Sequence, residues 1–314
     1  MDNFSEKEFE KALDKTLTEL KMLKIPSKEK KAFLLGGQPG AGKSGMTILL
    51  TKEIENENII VINGDDFRKK HPHFIELQKI YGKEAVEYTK TFAGKMTEAL
   101  INKLSDEGYN LIIEGTLRTS ETPLKTQQEL SKKGYQVEMA VIQVRPEVSY
   151  LGTLTRYEEM MKRGLEPRAT LKKDHQIVVD NIANNLSKLY NAKVFSNIRI
   201  YNRENEYLYS MKETPNIDPG TLISKEFQRT LSEDEKKQIL KGYDKVLEYM
   251  NERKAPKEEI AIIEREKENS IKEKENPFEK LLKERENSLE NNKDMSSWKK
   301  KLSNDRKVLT LGKE

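Results

Sequence analysis

Phe33-Leu34-Leu35-Gly36-Gly37-Gln38-Pro39-Gly40-Ala41-Gly42-Lys43-Ser44 decides how the rest of the chain is read. Three apolar residues run into G-x-x-x-x-G-K-S, from Gly37 to Ser44, and a helix-compatible segment follows to about Glu55. Glycines at 37, 40 and 42 let the backbone bring its N–H groups close to phosphate oxygens. A helix opening near Lys43 adds unpaired N–H donors and a partial positive charge. Lys43 can reach the β- and γ-phosphates, and the Ser44 hydroxyl can ligate Mg²⁺. Gln38, Pro39 and Ala41 complete the stretch. A strand before and a helix after give it the context of a nucleoside triphosphate site.

Working outward, Ser5-Glu6-Lys7-Glu8 reads as a capping box, with Phe9, Leu13, Leu17 and Leu20 at helical spacing behind it. After the phosphate loop, Ile59 to Ile62 is a buried-type strand, giving a β-α-β unit of about thirty residues. It ends at Asp65 and Asp66, ahead of a His71-Pro72-His73 loop. A helix from about Lys83 to Leu104 carries Phe92, Met96, Leu100 and Leu104 on one face. Further strands fall at Leu111–Ile113, Val137–Val144 and Ile198–Tyr201. Helices fall near Leu124–Lys133, Glu147–Arg163 and Lys173–Tyr190, the last with Ile177, Val178, Ile182, Leu186 and Leu189 facing inward. This alternation predicts an α/β fold of P-loop kinase type: a parallel sheet with helices on both faces and the site at the strands' carboxyl ends.

From about Thr214 the pattern changes. Ser232-Glu233-Asp234-Glu235 can cap a helix carrying Ile239, Leu240, Tyr243 and Leu247. The expected division is a kinase domain over 1–213, a C-terminal helical segment over 214–250, and a charged helical or flexible tail over 251–314 that chemistry can do without. Trp298 stands alone in that tail, as a docking contact or a surface residue.

Composition narrows the class. The chain has 314 residues, 35% of them charged, and a mean hydropathy of -0.82, so part of it should be solvated. Its 57 basic and 53 acidic residues nearly balance, which argues against non-specific nucleic-acid binding. There is no cysteine, which excludes disulfides and thiolate metal sites and suits a reducing compartment. The acidic start Met1-Asp2-Asn3-Phe4-Ser5-Glu6 is unlike a signal peptide, and no apolar run approaches a membrane span. The expectation is a cytoplasmic protein.

A P-loop leaves motor, GTPase and kinase open. The chain has no guanine-reading N-K-x-D, and its third strand ends in Glu114-Gly115-Thr116. Small-molecule kinases of this fold place a carboxylate after strand two and arginines in a mobile lid, and both have candidates here. Gly36 to Ser44, Asn63-Gly64-Asp65-Asp66-Phe67-Arg68, His71-Pro72-His73, Glu114-Gly115-Thr116-Leu117-Arg118-Thr119 and Arg168-Ala169-Thr170 together resemble the zeta-toxin family. These are the kinase toxins of epsilon/zeta and PezA/PezT toxin–antitoxin systems. The resemblance spans about Leu23 to Ser210.

That resemblance implies transfer of a γ-phosphate from ATP, or GTP, to the 3′-hydroxyl of the amino sugar of UDP-N-acetylglucosamine, which starves peptidoglycan synthesis. It implies Asp65 as general base, Lys43 as phosphate clamp, and Ser44 as the Mg²⁺ ligand. Arg156 and Arg168 fall where the family's phosphate-stabilising arginines lie. Glu98, Glu114, Thr116, Arg118 and Thr126 fall at sugar-nucleotide positions. A small helical antitoxin on a separate chain is the implied partner. Asp66 departs from the family's Ser or Thr, which suggests a helix-capping role there, and the Arg156–Arg168 segment is slightly short.

By periodicity alone Glu98 lies opposite the core stripe, and only the resemblance brings it into the site. Glu114 and Arg118 can also be read as a mutual pair, and Arg156 as a surface partner of Glu159. His71 and His73 read as a structural loop rather than a zinc site. The alternatives are a kinase of an antibiotic, nucleoside or polynucleotide end, or a P-loop ATPase or switch with a partner-binding tail.

Overall fold

The computed structural model describes residues 4–272. In chain order these form α1 (Glu6–Lys21), β1 (Lys31–Gly36), α2 (Lys43–Lys52), β2 (Ile60–Asn63), α3 (Gly64–Phe67), α4 (Phe74–Tyr81), α5 (Ala85–Asp106) and β3 (Leu111–Glu114). There follow α6 (Glu121–Lys132), β4 (Gln136–Ile142), α7 (Pro146–Lys162), α8 (Lys172–Ala192), β5 (Asn197–Tyr201), β6 (Tyr207–Ser210), α9 (Pro219–Gln228), α10 (Glu233–Glu252) and α11 (Lys257–Ser270). Trp298 and the rest of the expected tail beyond residue 272 lie outside the described residues.

The strands form a six-stranded sheet in the order β2-β3-β1-β4-β5-β6. β1 to β5 run parallel, and β6 returns antiparallel to β5 through the Asn202–Glu206 turn. Side chains alternate between the faces of each strand, so a strand covered on both sides must be apolar throughout. Ala32 and Leu34 accordingly join Phe9, Phe92, Met96, Leu100, Val178 and Ile182 in one core. Phe33 and Leu35 join Met46, Leu50, Ile112 and Ile142 in the other.

The pairing register sets the position of the site. Leu35 of β1 and Asn63 of β2 both lie beside Glu114 of β3, so these strands end at one level. The phosphate loop, the Asp65 turn and the Glu114 turn therefore leave the sheet together.

Both expected capping boxes form, at Ser5/Glu8 and Ser232/Glu235. Ile177 is a correction: it is 41% exposed, because the buried stripe of α8 runs through His175, Val178, Ile182, Asn185, Leu186 and Leu189. A third cluster joins Leu151 of α7 to Ile239, Tyr243, Val246 and Met250 of α10 and Ile263 of α11.

Candidate phosphoryl-transfer site

The phosphate loop is pinned from behind. Gln38 is fully buried, and its Nε2 donates to the Val144 carbonyl just past β4 at 3.0 Å. Gly40 sits at φ +77 against α7, where a Cβ would stand 2.1 Å from the Ser149 carbonyl oxygen. No side chain fits that position. Lys43 donates to the Gly37 and Gln38 carbonyls at 2.9 and 3.2 Å. Burial pulls its ammonium down to about 8, against the opposing pull of Glu114 and Asp65.

Asp65 stands two residues past β2, in the first turn of α3. Asn63 caps that helix, its Oδ1 accepting from the Asp65 N–H at 3.1 Å. The capping role expected of Asp66 therefore belongs to Asn63, and Asp66 forms an ion pair with Arg168. Arg68 Nε donates to Asp65 Oδ1 at 3.0 Å, while its Nη1 donates to the Val86 carbonyl of α5 at 2.6 Å. Burial in the crowded cleft pushes the Asp65 carboxyl up. The Arg68, Arg156 and Arg168 guanidiniums outweigh it and leave the group below its ordinary value.

Glu114 ends β3 with its Oε1 3.1 Å from the Thr47 hydroxyl of α2, and it is not paired with Arg118. Burial raises its pKa, although Lys43 and Thr47 oppose the shift. Arg156 turns into the cleft, its Nη2 3.5 Å from the Thr170 hydroxyl, rather than pairing with Glu159. Its buried Nε has no hydrogen-bond partner among the described residues.

Lys43, Ser44, Asp65, Glu98, Glu114, Thr116, Thr126, Arg156 and Arg168 line one cleft of about 780 Å³, with Pro39 to Gly42 on its wall. Gly37 and Gln38 lie behind that wall. Arg118 lies in an adjoining cleft of about 660 Å³, bound to Asp174 at 2.5 Å. Asp65, Arg68, Lys90, Thr116, Arg156 and Arg168 face both spaces.

The resemblance names Glu98 and Thr126, but sequence reasoning overlooked the lining residues beside them. Lys90, Gly94, Thr97, Glu98 and Ile101 make a second stripe on α5, and Thr122, Lys125, Thr126 and Glu129 one on α6. The stripes face each other, and Lys125 bridges to Glu98 at 3.1 Å. Both follow helical spacing, so that periodicity was the available signal. His71 packs edge-on against Phe92 and Phe4, as a structural loop residue would. An ionised carboxylate facing a phosphate-binding loop, with an ammonium and guanidiniums around it, has the parts for in-line phosphoryl transfer.

Comparison with known proteins places the chain among relatives. The zeta toxin family model matches residues 14–214. Toxin zeta of Streptococcus pyogenes is 46% identical over 231 residues, which is 73% of this chain and 80% of that protein. Toxin PezT of Streptococcus pneumoniae serotype 4 is 47% identical over 214 residues, 68% of this chain and 84% of that one. A solved chain from the PezAT chromosomal toxin–antitoxin system of Streptococcus pneumoniae superposes with a TM-score of 0.70. It is 41% identical and covers 80% of this chain and 98% of its own. The AvrRxo1-ORF1:-ORF2 complex with ATP, at 13% identity and a TM-score of 0.55, covers 83% of this chain and 89% of its own and shares the fold. Among the described residues no helix is long and apolar enough to cross a membrane.

Proposed function

The chain belongs to the zeta-toxin family of kinase-type toxins, and on that premise we propose that it moves the γ-phosphate of ATP or GTP to the 3′-hydroxyl of the amino sugar of UDP-N-acetylglucosamine. The observation that carries the reading is the convergence of the phosphate loop, Asp65, Arg156 and Arg168 on one cleft that continues between the polar stripes of α5 and α6. The triphosphate lies along Pro39 to Ser44. The sugar nucleotide lies beyond it, towards Glu98, Glu114, Thr116 and Thr126, with Arg118 at the adjoining space.

Asp65 takes the proton of the acceptor hydroxyl. The freed oxygen attacks the γ-phosphorus in line, and the bond to the β-bridging oxygen breaks to release the diphosphate. Arg68 holds the base ionised and oriented. Lys43, Arg156 and Arg168 offset charge on the transferring group, so the protein contributes positioning and electrostatics. The exposed Ser44 hydroxyl, which lines the same cleft as the Glu114 and Asp65 carboxylates, fits Mg²⁺, which uses few protein ligands plus substrate phosphates. Ser44 would hold the ion, and bound there it would neutralise phosphate charge.

In the cell the transfer would deplete the peptidoglycan precursor in the cytoplasm. A small helical antitoxin on a separate chain would hold it in check. The PezAT toxin–antitoxin structure supports that partner by likeness. Incubation with γ-labelled ATP and a panel of acceptors tests the reading. Label on UDP-N-acetylglucosamine supports it; label only on an antibiotic, nucleoside or polynucleotide end, or only in water, contradicts it.

A further inference from the structure

α7 is packed between two partners. On one side the phosphate loop touches its backbone: a Cβ on Gly152 would stand 2.6 Å from the Gly40 carbonyl oxygen. On the other side lies α10, where a Cβ on Gly242 would come within 2.5 Å of the Leu151 side chain. Residues two apart on a helix point about 200° apart. Arg156 therefore faces the cleft while Glu158 faces the C-terminal helices.

Glu158 is only 4% exposed. Its two oxygens accept from Arg253, from Nε at 2.7 Å and Nη2 at 3.0 Å, and the same Nη2 donates to Glu259 of α11 at 2.8 Å. A bidentate pair of this kind fixes orientation as well as distance. Outer pairs run in parallel, Lys245 to Glu159 at 3.0 Å and Lys162 to Glu252 at 2.8 Å. At the start of α8, Lys172 pairs with Glu266 of α11 at 2.5 Å. Both stems of the 163–171 segment, which carries Arg168 and Thr170, are thus tied to α10 and α11.

We propose that Arg253, through Glu158 and Glu259, is a positioning residue: it sets the rotation of α7 and so the place of Arg156 over the phosphate loop. The inference rests on the reading of Arg156 as a phosphate-facing group. It reassigns residues 252–270 from a dispensable tail to the working unit.

The test uses the full chain and label transfer from γ-labelled ATP to UDP-N-acetylglucosamine, with hydrogen exchange across residues 146–171 read in parallel. Arg253→Met should lower kcat by about tenfold or more, since small misplacements of a charge-stabilising group are costly. KM for ATP should stay within about threefold, and Arg253→Lys should recover part of the rate. In an Arg156→Ala background Arg253→Met should lower kcat by less than about twofold, because both changes remove one effect. Exchange should quicken in α7 while α5 stays protected. An unchanged kcat in folded Arg253→Met, or an equal loss in both backgrounds, would overturn the proposal. Should Arg253→Met not fold, Glu259→Gln leaves the Glu158 pair in place; it should lower kcat several-fold with the same non-additivity, and wild-type kinetics there would overturn it. A wild-type chain that transfers to no acceptor contradicts the kinase reading instead. The brace then stands or falls on exchange in α7, and wild-type protection in Arg253→Met overturns it.

Discussion

Lys43 and Asp65 have opposite problems in the same cleft. The ammonium loses hydration and is pulled to about 8, while the carboxylate is kept ionised by its guanidinium neighbours. A cation with a depressed pKa loses its charge as pH rises through that value. kcat/KM for ATP, which reports the free enzyme, should therefore decline above pH of about 8. A flat profile to pH of about 9.5, where an unperturbed lysine is still charged, would contradict the depressed Lys43 ammonium. Lys43→Ala should abolish transfer in the labelled-phosphate assay. At this scale the phosphate loop was legible because its chemistry is contiguous in sequence. Arg156 and Arg168 come to it through tertiary packing, so the kinase reading called for lid arginines and the resemblance picked out these two. Asp66 was misread as a cap because Asn63 and Asp66 are both short polar residues at a helix start, and only the φ/ψ entry at Asn63 separates them.

α5 shows how one helix serves two purposes. Its apolar stripe through Phe92, Met96, Leu100 and Leu104 was plain in the sequence and is fully buried. The second stripe was harder to see, because polar residues at helical spacing look like any solvated face. Gly94 marks it: a Cβ there meets nothing within 4 Å, and the residue lines the cleft. Gly94→Ala should raise stability by about 0.5–1 kcal/mol, the usual helix-interior gain. It should also raise KM for the sugar nucleotide and leave KM for ATP alone. Thermal unfolding and steady-state kinetics check both halves, and a shift in the ATP constant instead would move the acceptor out of the α5–α6 space. β6 and α9 went unread for a different reason. Tyr207–Ser210 is a short edge strand whose pairing depends on the Asn202–Glu206 turn, and Pro219–Gln228 is a helix of only ten residues.

At the scale of the whole molecule, the parallel sheet and the position of its site were legible because buried strands and the β-α-β rhythm leave strong apolar runs. The closing helix α11 was legible only as part of a charged helical or flexible tail, because one buried residue, Ile263, and ion pairs hold it where a longer apolar stripe would have shown. All candidate site and brace residues lie at or before Glu266. Deleting residues 273–314 should therefore leave kcat/KM within about threefold, whereas deletion from residue 252 should cost about tenfold or more. Equal losses from the two deletions, read in the same assay, would contradict the placement of the brace. The central claim is that this cleft joins a phosphoryl donor to an amino-sugar hydroxyl with Asp65 as the base. It is tested most directly by phosphorus NMR of a reaction containing ATP and UDP-N-acetylglucosamine, run with wild type and Asp65→Asn at matched nucleotide occupancy. The account predicts a new phosphomonoester on the amino sugar's 3′ position with wild type, and a rate lower by about 10² or more with Asp65→Asn at unchanged ATP affinity. Inorganic phosphate as the only product, or an Asp65→Asn variant as fast as wild type, would contradict it.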